Sequence, residues 1–183
     1  MNRSMPFYPK TSMTPLLTMS RILAVSLLVF LLAGCEEDDF LPTGPNFDTV
    51  PAPLDLDEAQ ESYTLNNGME IHIHEQGDPE GLQVVERSRV QAHYTIRNGE
   101  GDIAESSWRD GRTLPESLTI QNFSDRIEGF TMGLVELSDP EVPAMREGGV
   151  RTIIIPENKG YSSDHRFGDD RLYIDFELHE VVD

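Results

Sequence analysis

The chain has 183 residues, of which 33 are acidic and 14 are basic, and its formal net charge at pH 7 is −19. This length allows one domain of ordinary size with a terminal extension, and the single cysteine, Cys35, excludes an intramolecular disulfide. The negative charge excludes nucleic acid as a partner, because phosphates would be repelled. It also disfavours adhesion of the folded part to anionic lipid headgroups.

The first distinct element is an apolar segment, Ile22–Leu32, which is followed directly by Ala33-Gly34-Cys35. Three basic residues precede it: Arg3, Lys10 and Arg21. The segment is shorter than the ~20 apolar residues of a membrane-spanning helix, and no acidic residue occurs before Glu36, as in an export signal. The segment resembles a bacterial lipoprotein signal peptide, with Cys35 at the lipobox cysteine. An ordinary secretory peptide with an incidental cysteine is the alternative.

The resemblance implies cleavage of residues 1–34, with diacylglycerol on the sulfur of Cys35 and an acyl chain on its new amino group. More than one chain gives stable membrane anchoring, and the 149 remaining residues carry a net charge of −22. We therefore expect a location in the cell envelope, at the outer membrane or cell surface, with the periplasmic side also open. The acidic cluster Glu36–Asp39 resembles surface-export signals, whereas in other bacteria such residues direct retention at the inner membrane.

Residues 35–61 combine this acidic cluster with four prolines and little periodic apolar content. Such a composition is typical of an extended, semi-rigid tether. We therefore place the domain boundary at Ser62, with the domain covering residues 62–183. Removal of the tether is expected to leave the melting temperature of the domain nearly unchanged.

Beyond Ser62, apolar and polar residues alternate with the period of β-strands. The predicted strands are residues 69–74, 90–97, 151–155 and 172–179. The dipeptide Asn98-Gly99 predicts a hairpin turn after the second strand. One helix is predicted, Ile127–Leu137, because its apolar residues recur at helical spacing. These elements predict an α+β fold in which an antiparallel sheet is covered by one short helix.

Six segments, taken in order, resemble the motifs of one family. They are Val90–Thr95 (V-x-V-H-Y-T), Gly101–Ser107 (G-x-x-F-D-S-S), Arg126–Phe130 (V-I-x-G-W), Met145–Gly149 (M-x-x-G-G), Ile155–Tyr161 (I-P-x-x-L-A-Y-G) and Leu172–Leu178 (L-x-F-x-V-E-L). Over residues 62–183 the chain thus resembles the FKBP-type peptidyl-prolyl cis-trans isomerases. The resemblance implies a twisted antiparallel sheet wrapped around one short helix, with an apolar pocket between them. It implies proline-containing polypeptides as substrates and catalysis without metal or cofactor, and we expect a monomer.

The resemblance also implies a set of site residues: Tyr94, Glu105, Ile127, Phe130, Tyr161 and Ile174. Tyr94 and Tyr161 keep the family's tyrosines, and Ile127 keeps the isoleucine whose backbone N–H meets a ligand carbonyl. Glu105 replaces an aspartate, and Phe130 replaces the tryptophan of the pocket floor. Ile174 stands where an aromatic residue is usual, and so does Ala104.

Other interpretations of these residues remain open. Ile127 and Phe130 also fit plain core packing, and Glu105 also fits a solvated carboxylate. Four histidines alternate onto the polar side of their strands, so we expect them to face solvent and predict no metal site: His72, His74, His93 and His179. Ala104 and Ile174 favour a rival hypothesis, a non-catalytic polypeptide-binding module with an eroded pocket. A structural component of a surface assembly is a third hypothesis, supported only by the tether.

The lipidation hypothesis predicts the behaviour of Cys35→Ala. The variant is expected to lose both lipid labelling and cleavage at that site, because only the sulfhydryl accepts the diacylglyceryl group. Metabolic labelling with a palmitate analogue measures the effect. Equal labelling of the variant and the parent would show that Cys35 is not the attachment site.

Overall fold

The computed structural model describes residues 44–121, 127–157 and 159–182. The predictions for the signal segment 1–34, for Cys35 and for the first part of the tether fall outside these residues. Within the described part of the chain, no helix is long and apolar enough to cross a bilayer.

The described residues form nine strands, one α-helix and two 3-10 helices. The strands are β1 (Glu61–Thr64), β2 (Glu70–Glu75), β3 (Arg89–Asn98), β4 (Ile103–Ser106), β5 (Glu116–Thr119), β6 (Leu137–Ser138), β7 (Glu141–Val142), β8 (Val150–Ile155) and β9 (Leu172–Val182). The helix α1 is Glu128–Met132, and the 3-10 helices are Leu56–Glu58 and Arg109–Gly111. Seven strands form one sheet in the order β1-β2-β8-β9-β3-β4, with β5 also paired to β3, while β6 and β7 pair separately.

All strand pairs in the main sheet are antiparallel, and the predicted α+β architecture is confirmed. The four predicted strands correspond to β2, β3, β8 and β9. Arg151 and the β-branched run that follows it in β8, residues 152–155, are all buried, as expected for a strand covered on both faces. The core cluster lies between the sheet and α1 and includes Tyr94, Phe130 and Phe176.

The helix is shorter than the predicted Ile127–Leu137. It ends at Met132, and the N–H of the next residue, Gly133, still donates to the Gly129 carbonyl at 3.1 Å. Leu137 instead pairs with Val142 in the β6–β7 hairpin. The apolar spacing was compatible with a longer helix, but strand pairing and packing of the hairpin end the helix after one and a half turns.

The segment 46–58, here called the strap, lies against the outer face of the sheet, the face opposite α1. Asn46 and Asp110 exchange two hydrogen bonds, from Asn46 N–H to Asp110 Oδ1 (2.9 Å) and from Asp110 N–H to the Asn46 carbonyl (2.7 Å). The Thr49 hydroxyl donates to the Trp108 carbonyl at 3.2 Å. Buried Arg97 donates to the Pro51 carbonyl.

These contacts correct the tether boundary predicted from composition. The compact unit that contains the sheet includes the strap and therefore begins well before Ser62. The sequence of the strap shows little apolar periodicity because the strap is held largely by hydrogen bonds to its backbone groups, one of them from Arg97. The Arg97 side chain also donates to Asp175 at 2.7 Å. The proline-rich composition therefore did not reveal the partners of this backbone.

The strap contacts reverse the stability expectation for its removal. Deletion of residues 36–60 is expected to destabilise the domain by at least ~2 kcal/mol, because several hydrogen bonds are lost and Arg97 loses one acceptor. The melting temperature is then expected to fall by roughly 5 °C or more. Deletion of residues 36–43 alone is the matched control and is expected to leave it unchanged. Identical melting temperatures for the two deletions would contradict a stabilising strap.

Candidate functional site at the gap in strand β3

Two short strands share one edge of β3 and leave a gap between them. β5 pairs with residues 89–92 of β3, and β4 pairs with residues 95–97. His93 and Tyr94 lie in the gap, where neither short strand supplies a ladder partner. Ser107 fills it: its N–H donates to the Tyr94 carbonyl at 3.0 Å, and its Oγ accepts from the Tyr94 N–H at 3.0 Å. The Tyr94 backbone is therefore held by a loop residue.

Tyr94 is the centre of the site. Its side chain is 1% exposed, and its hydroxyl donates to Glu105 Oε1. Its ring meets the Phe130 ring edge to face, with centroids 5.9 Å apart. Phe130 meets Phe176 in the same way at 5.3 Å, and Phe176 is the cross-strand partner of Tyr94. The result is an aromatic surface between the sheet and α1 that carries one oriented polar group.

The structure brings three of the six predicted site residues into direct contact: Tyr94, Glu105 and Phe130. Ile127 directly precedes α1 and is 6% exposed, and Ile174 is fully buried between Ile96 and Ile153 in the sheet register. Both belong to the core cluster that contains the aromatic rings. Residue 126 of the family motif, with 122–125, lies outside the described residues.

Tyr161 lies in the segment that follows β8. It is half-buried and packs against the core cluster. Its ring stacks on His165, with centroids 4.0 Å apart. The short loop before β9 therefore fixes the orientation of this ring.

Sequence reasoning missed a charged cluster beside Tyr94. Arg109 lies 3.9 Å from Glu105 and 3.9 Å from Glu116, so that one guanidinium stands between two carboxylates. All three side chains are about one-third exposed. In the sequence, the cluster was indicated only by the acidic residues near the Ser-Ser motif. Their spacing does not predict which of them contact Arg109. The 3-10 turn Arg109–Gly111, fixed by the strap, brings them together.

The expectation that His93 faces solvent is wrong. His93 is 4% exposed and stacks on Trp108, with ring centroids 3.7 Å apart and an interplanar angle of 14°. Its Nδ1 lies 3.1 Å from Ser107 Oγ. Burial lowers the pKa of His93 below 6.5, and His179 lowers it further, against an opposing effect of Glu177. Strand alternation did place His93 on the outer face, but Trp108 covers that position.

The other outer-face histidines differ from His93. His72 and His74 are half-buried, and His74 Nε2 lies 3.0 Å from Thr152 Oγ1. Burial lowers the pKa of His74 as well. Among the described residues, no three side chains of the metal-ligating types converge on one point.

Comparisons with known proteins agree with this architecture. A family model described as FKBP-type peptidyl-prolyl cis-trans isomerase matches residues 81–179. Among solved structures, AtFKBP13 is 22% identical with a TM-score of 0.55, and the match covers 67% of this chain and 99% of that chain. No curated protein matches the sequence significantly.

Two further solved structures show the same fold. The peptidyl-prolyl cis-trans isomerase from Pseudomonas syringae pv. tomato str. DC3000 is 21% identical with a TM-score of 0.50, covering 67% of this chain and 81% of that chain. The N-terminal domain of FKBP42 from Arabidopsis thaliana is 17% identical with a TM-score of 0.53, covering 73% and 98%. At these identities, the likeness concerns the fold alone.

The burial of His93 predicts a pH dependence of stability. In the unfolded chain the His93 imidazole binds a proton near pH 6.5, whereas in the folded chain it binds the proton only at lower pH. Stability from this residue is therefore complete above pH 6.5 and is lost as the pH falls through the window below it. We expect a lower melting temperature at pH 5 than at pH 7, and a smaller difference for His93→Asn. Exposed His165→Asn is the control; an equal pH difference in the parent and His93→Asn would contradict the assignment.

Proposed function

Because the chain belongs to the FKBP-type peptidyl-prolyl cis-trans isomerase family, we propose that it isomerises X–Pro bonds in exported polypeptides while anchored to a membrane by lipid at Cys35. The observation that carries the catalytic part is the contact of the Tyr94 hydroxyl with Glu105 beside the Phe130 ring. It combines an apolar surface with an oriented polar group. The proposed location is the cell envelope, at the outer membrane or the cell surface.

The chemistry requires little more than such a surface. Rotation about an X–Pro bond breaks amide resonance, with a barrier of ~18–20 kcal/mol. The twisted transition state has less charge separation across the C–N bond than the planar amide. Surroundings poor in water therefore favour the transition state over the ground state.

The described residues have distinct proposed roles in this reaction. The rings of Tyr94 and Phe130 supply the apolar contact for the proline ring of the substrate, because both are aromatic. In the domain without substrate both rings are almost completely buried. Glu105 orients the Tyr94 hydroxyl and keeps it from rotating into the apolar surface. Ile127 offers its backbone N–H, and Tyr161 its hydroxyl, to the substrate carbonyls. No step requires a nucleophile or a proton transfer.

One observation favours a second candidate function. Ile174 is fully buried among aliphatic neighbours, and Ala104 packs against the same core. Both positions lack the aromatic side chain that the family resemblance leads one to expect. A domain with a smaller aromatic surface could hold proline-containing polypeptides without accelerating their isomerisation. This non-catalytic module remains the alternative, and an isomerisation assay separates it from the enzyme.

The proposed role of Tyr161 gives a direct test. Tyr161→Phe removes the hydroxyl and little packing, so the loss is that of one hydrogen bond, ~0.5–1.5 kcal/mol. The kcat/KM toward a Leu-Pro or Phe-Pro peptide is expected to fall about 2–10-fold. Residues 36–183, which contain the whole compact unit of sheet and strap, are used in a protease-coupled assay. Tyr173→Phe is the matched control, because Tyr173 is a tyrosine on the opposite face of β9 from Ile174.

The outcomes distinguish the two candidates. A fall in kcat/KM for Tyr161→Phe and not for Tyr173→Phe, at unchanged melting temperature, supports the enzyme. An inactive parent that still binds proline-containing peptides supports the non-catalytic module. If the parent is active and Tyr161→Phe is equally active, the Tyr161 hydroxyl does not take part in the reaction.

A further inference from the structure

One carboxylate oxygen of Glu116 is buried and has no hydrogen-bond donor, although the side chain as a whole is about one-third exposed. Its Oε2 atom is shielded from solvent and makes no hydrogen bond within the described part of the chain. Buried acceptors are almost always satisfied, because an unpaired one loses its hydration without compensation. The described residues contain three other buried side-chain atoms without a partner, all of them nitrogens. The Glu116 oxygen lies beside the proposed isomerase site, where a bound peptide could supply the missing donor.

The sheet register sets the direction of the Glu116 side chain. Glu116 begins β5 and lies directly opposite Ala92 of β3. Opposed residues of an antiparallel pair project to the same face, and Ala92 is fully buried on the face toward α1. Tyr94, two residues further along β3, projects to that face as well. Glu116 and Tyr94 are thus neighbours on the side of the sheet where the aromatic surface lies.

The charges around this position do not balance. Among the described residues, Arg109 is the one cation within 4 Å of Glu116 Oε2, and its Nη2 atom is 3.9 Å away, too far for a hydrogen bond. The same guanidinium lies 3.9 Å from Glu105. Glu105 Oε1 already accepts from Tyr94. Two carboxylates share one cation, so the cluster carries one net negative charge and an unused acceptor.

Resting on the isomerase function proposed above, we propose that Glu116 is a specificity-determining residue that selects peptides with a lysine or arginine directly before the proline. The cationic side chain donates to Glu116 Oε2 and neutralises the cluster, while the proline ring lies on Tyr94 and Phe130. Consecutive Cα atoms are about 3.8 Å apart. With the proline ring on Tyr94, the side chain of the residue before the proline is therefore close enough to reach Glu116 on the neighbouring strand. An acidic residue at this place is repelled.

The chain as a whole is also strongly acidic, and its general field would attract any cationic peptide. Glu100 separates the two effects. It is exposed in the turn between β3 and β4, and only its backbone N–H takes part in a hydrogen bond given by the structure, to Asn98. Glu100→Gln and Glu116→Gln change the net charge equally. A difference between them therefore reports the local position of Glu116.

The experiment measures both binding and turnover with residues 36–183. Three fluorescent peptides are compared that differ only before the proline: Ala-Lys-Pro-Phe, Ala-Gln-Pro-Phe and Ala-Glu-Pro-Phe. Anisotropy gives the Kd, and NMR exchange gives the isomerisation rate. A partly exposed ion pair gives the parent an expected preference of about two- to fivefold for lysine over glutamine at low salt, which weakens at high salt.

The variants decide the assignment. Glu116→Gln is expected to bring the lysine-to-glutamine ratio close to one, whereas Glu100→Gln keeps the parent ratio. Glu116→Lys is expected to shift the preference to the glutamate peptide, and melting curves check that each variant folds. An equal lysine preference in the parent and Glu116→Gln, or no lysine preference in an active parent, overturns the inference. A parent that binds the lysine peptide selectively through Glu116 without isomerising it leaves the inference standing and overturns the proposed enzyme.

Discussion

The buried guanidinium of Arg151 is the interaction on which the arrangement of helix and sheet depends. Arg151 is fully buried in β8, and it donates to the carbonyls of Gly133 (3.0 Å) and Pro143 (2.8 Å). These bonds replace part of the hydration that a buried charge loses, while the Arg151 Nε atom makes no hydrogen bond within the described residues. Burial lowers its pKa to about 10, so the group still carries its charge at neutral pH. One side chain thus ties the end of α1 and the segment after β7 to the sheet.

Two glycines allow α1 to approach the sheet closely enough for this contact. A Cβ atom at Gly133 would lie 2.3 Å from Ile153 Cδ1, and one at Gly129 would lie 2.8 Å from Ile155 Cδ1. The helix backbone therefore packs directly on the β8 side chains. This close approach sets the distance between the Phe130 ring and the rings of Tyr94 and Phe176 on the sheet. The aromatic surface of the proposed site therefore depends on the close packing of α1 against β8.

The loop between β4 and β5 connects the two faces of the sheet. Ser107 replaces a ladder partner for Tyr94, and Trp108 covers His93 on the outer face. Arg109 then turns back toward Glu105. The strap bonds to this same loop through Asn46 and Thr49. The segment that leads from the proposed anchor is thereby part of the scaffold that holds the charged cluster.

The sequence by itself determined the main strands, the single helix and the family, because alternation and motif order are local properties of the chain. It also supplied Tyr94, Glu105 and Phe130, which the structure brings into contact. Only the tertiary structure decided that the proline-rich strap packs on the sheet, that His93 is buried, and that Glu116 faces the site. These features arise from contacts between residues far apart in the chain. Burial of a polar group depends on what covers it, and neither composition nor periodicity records that.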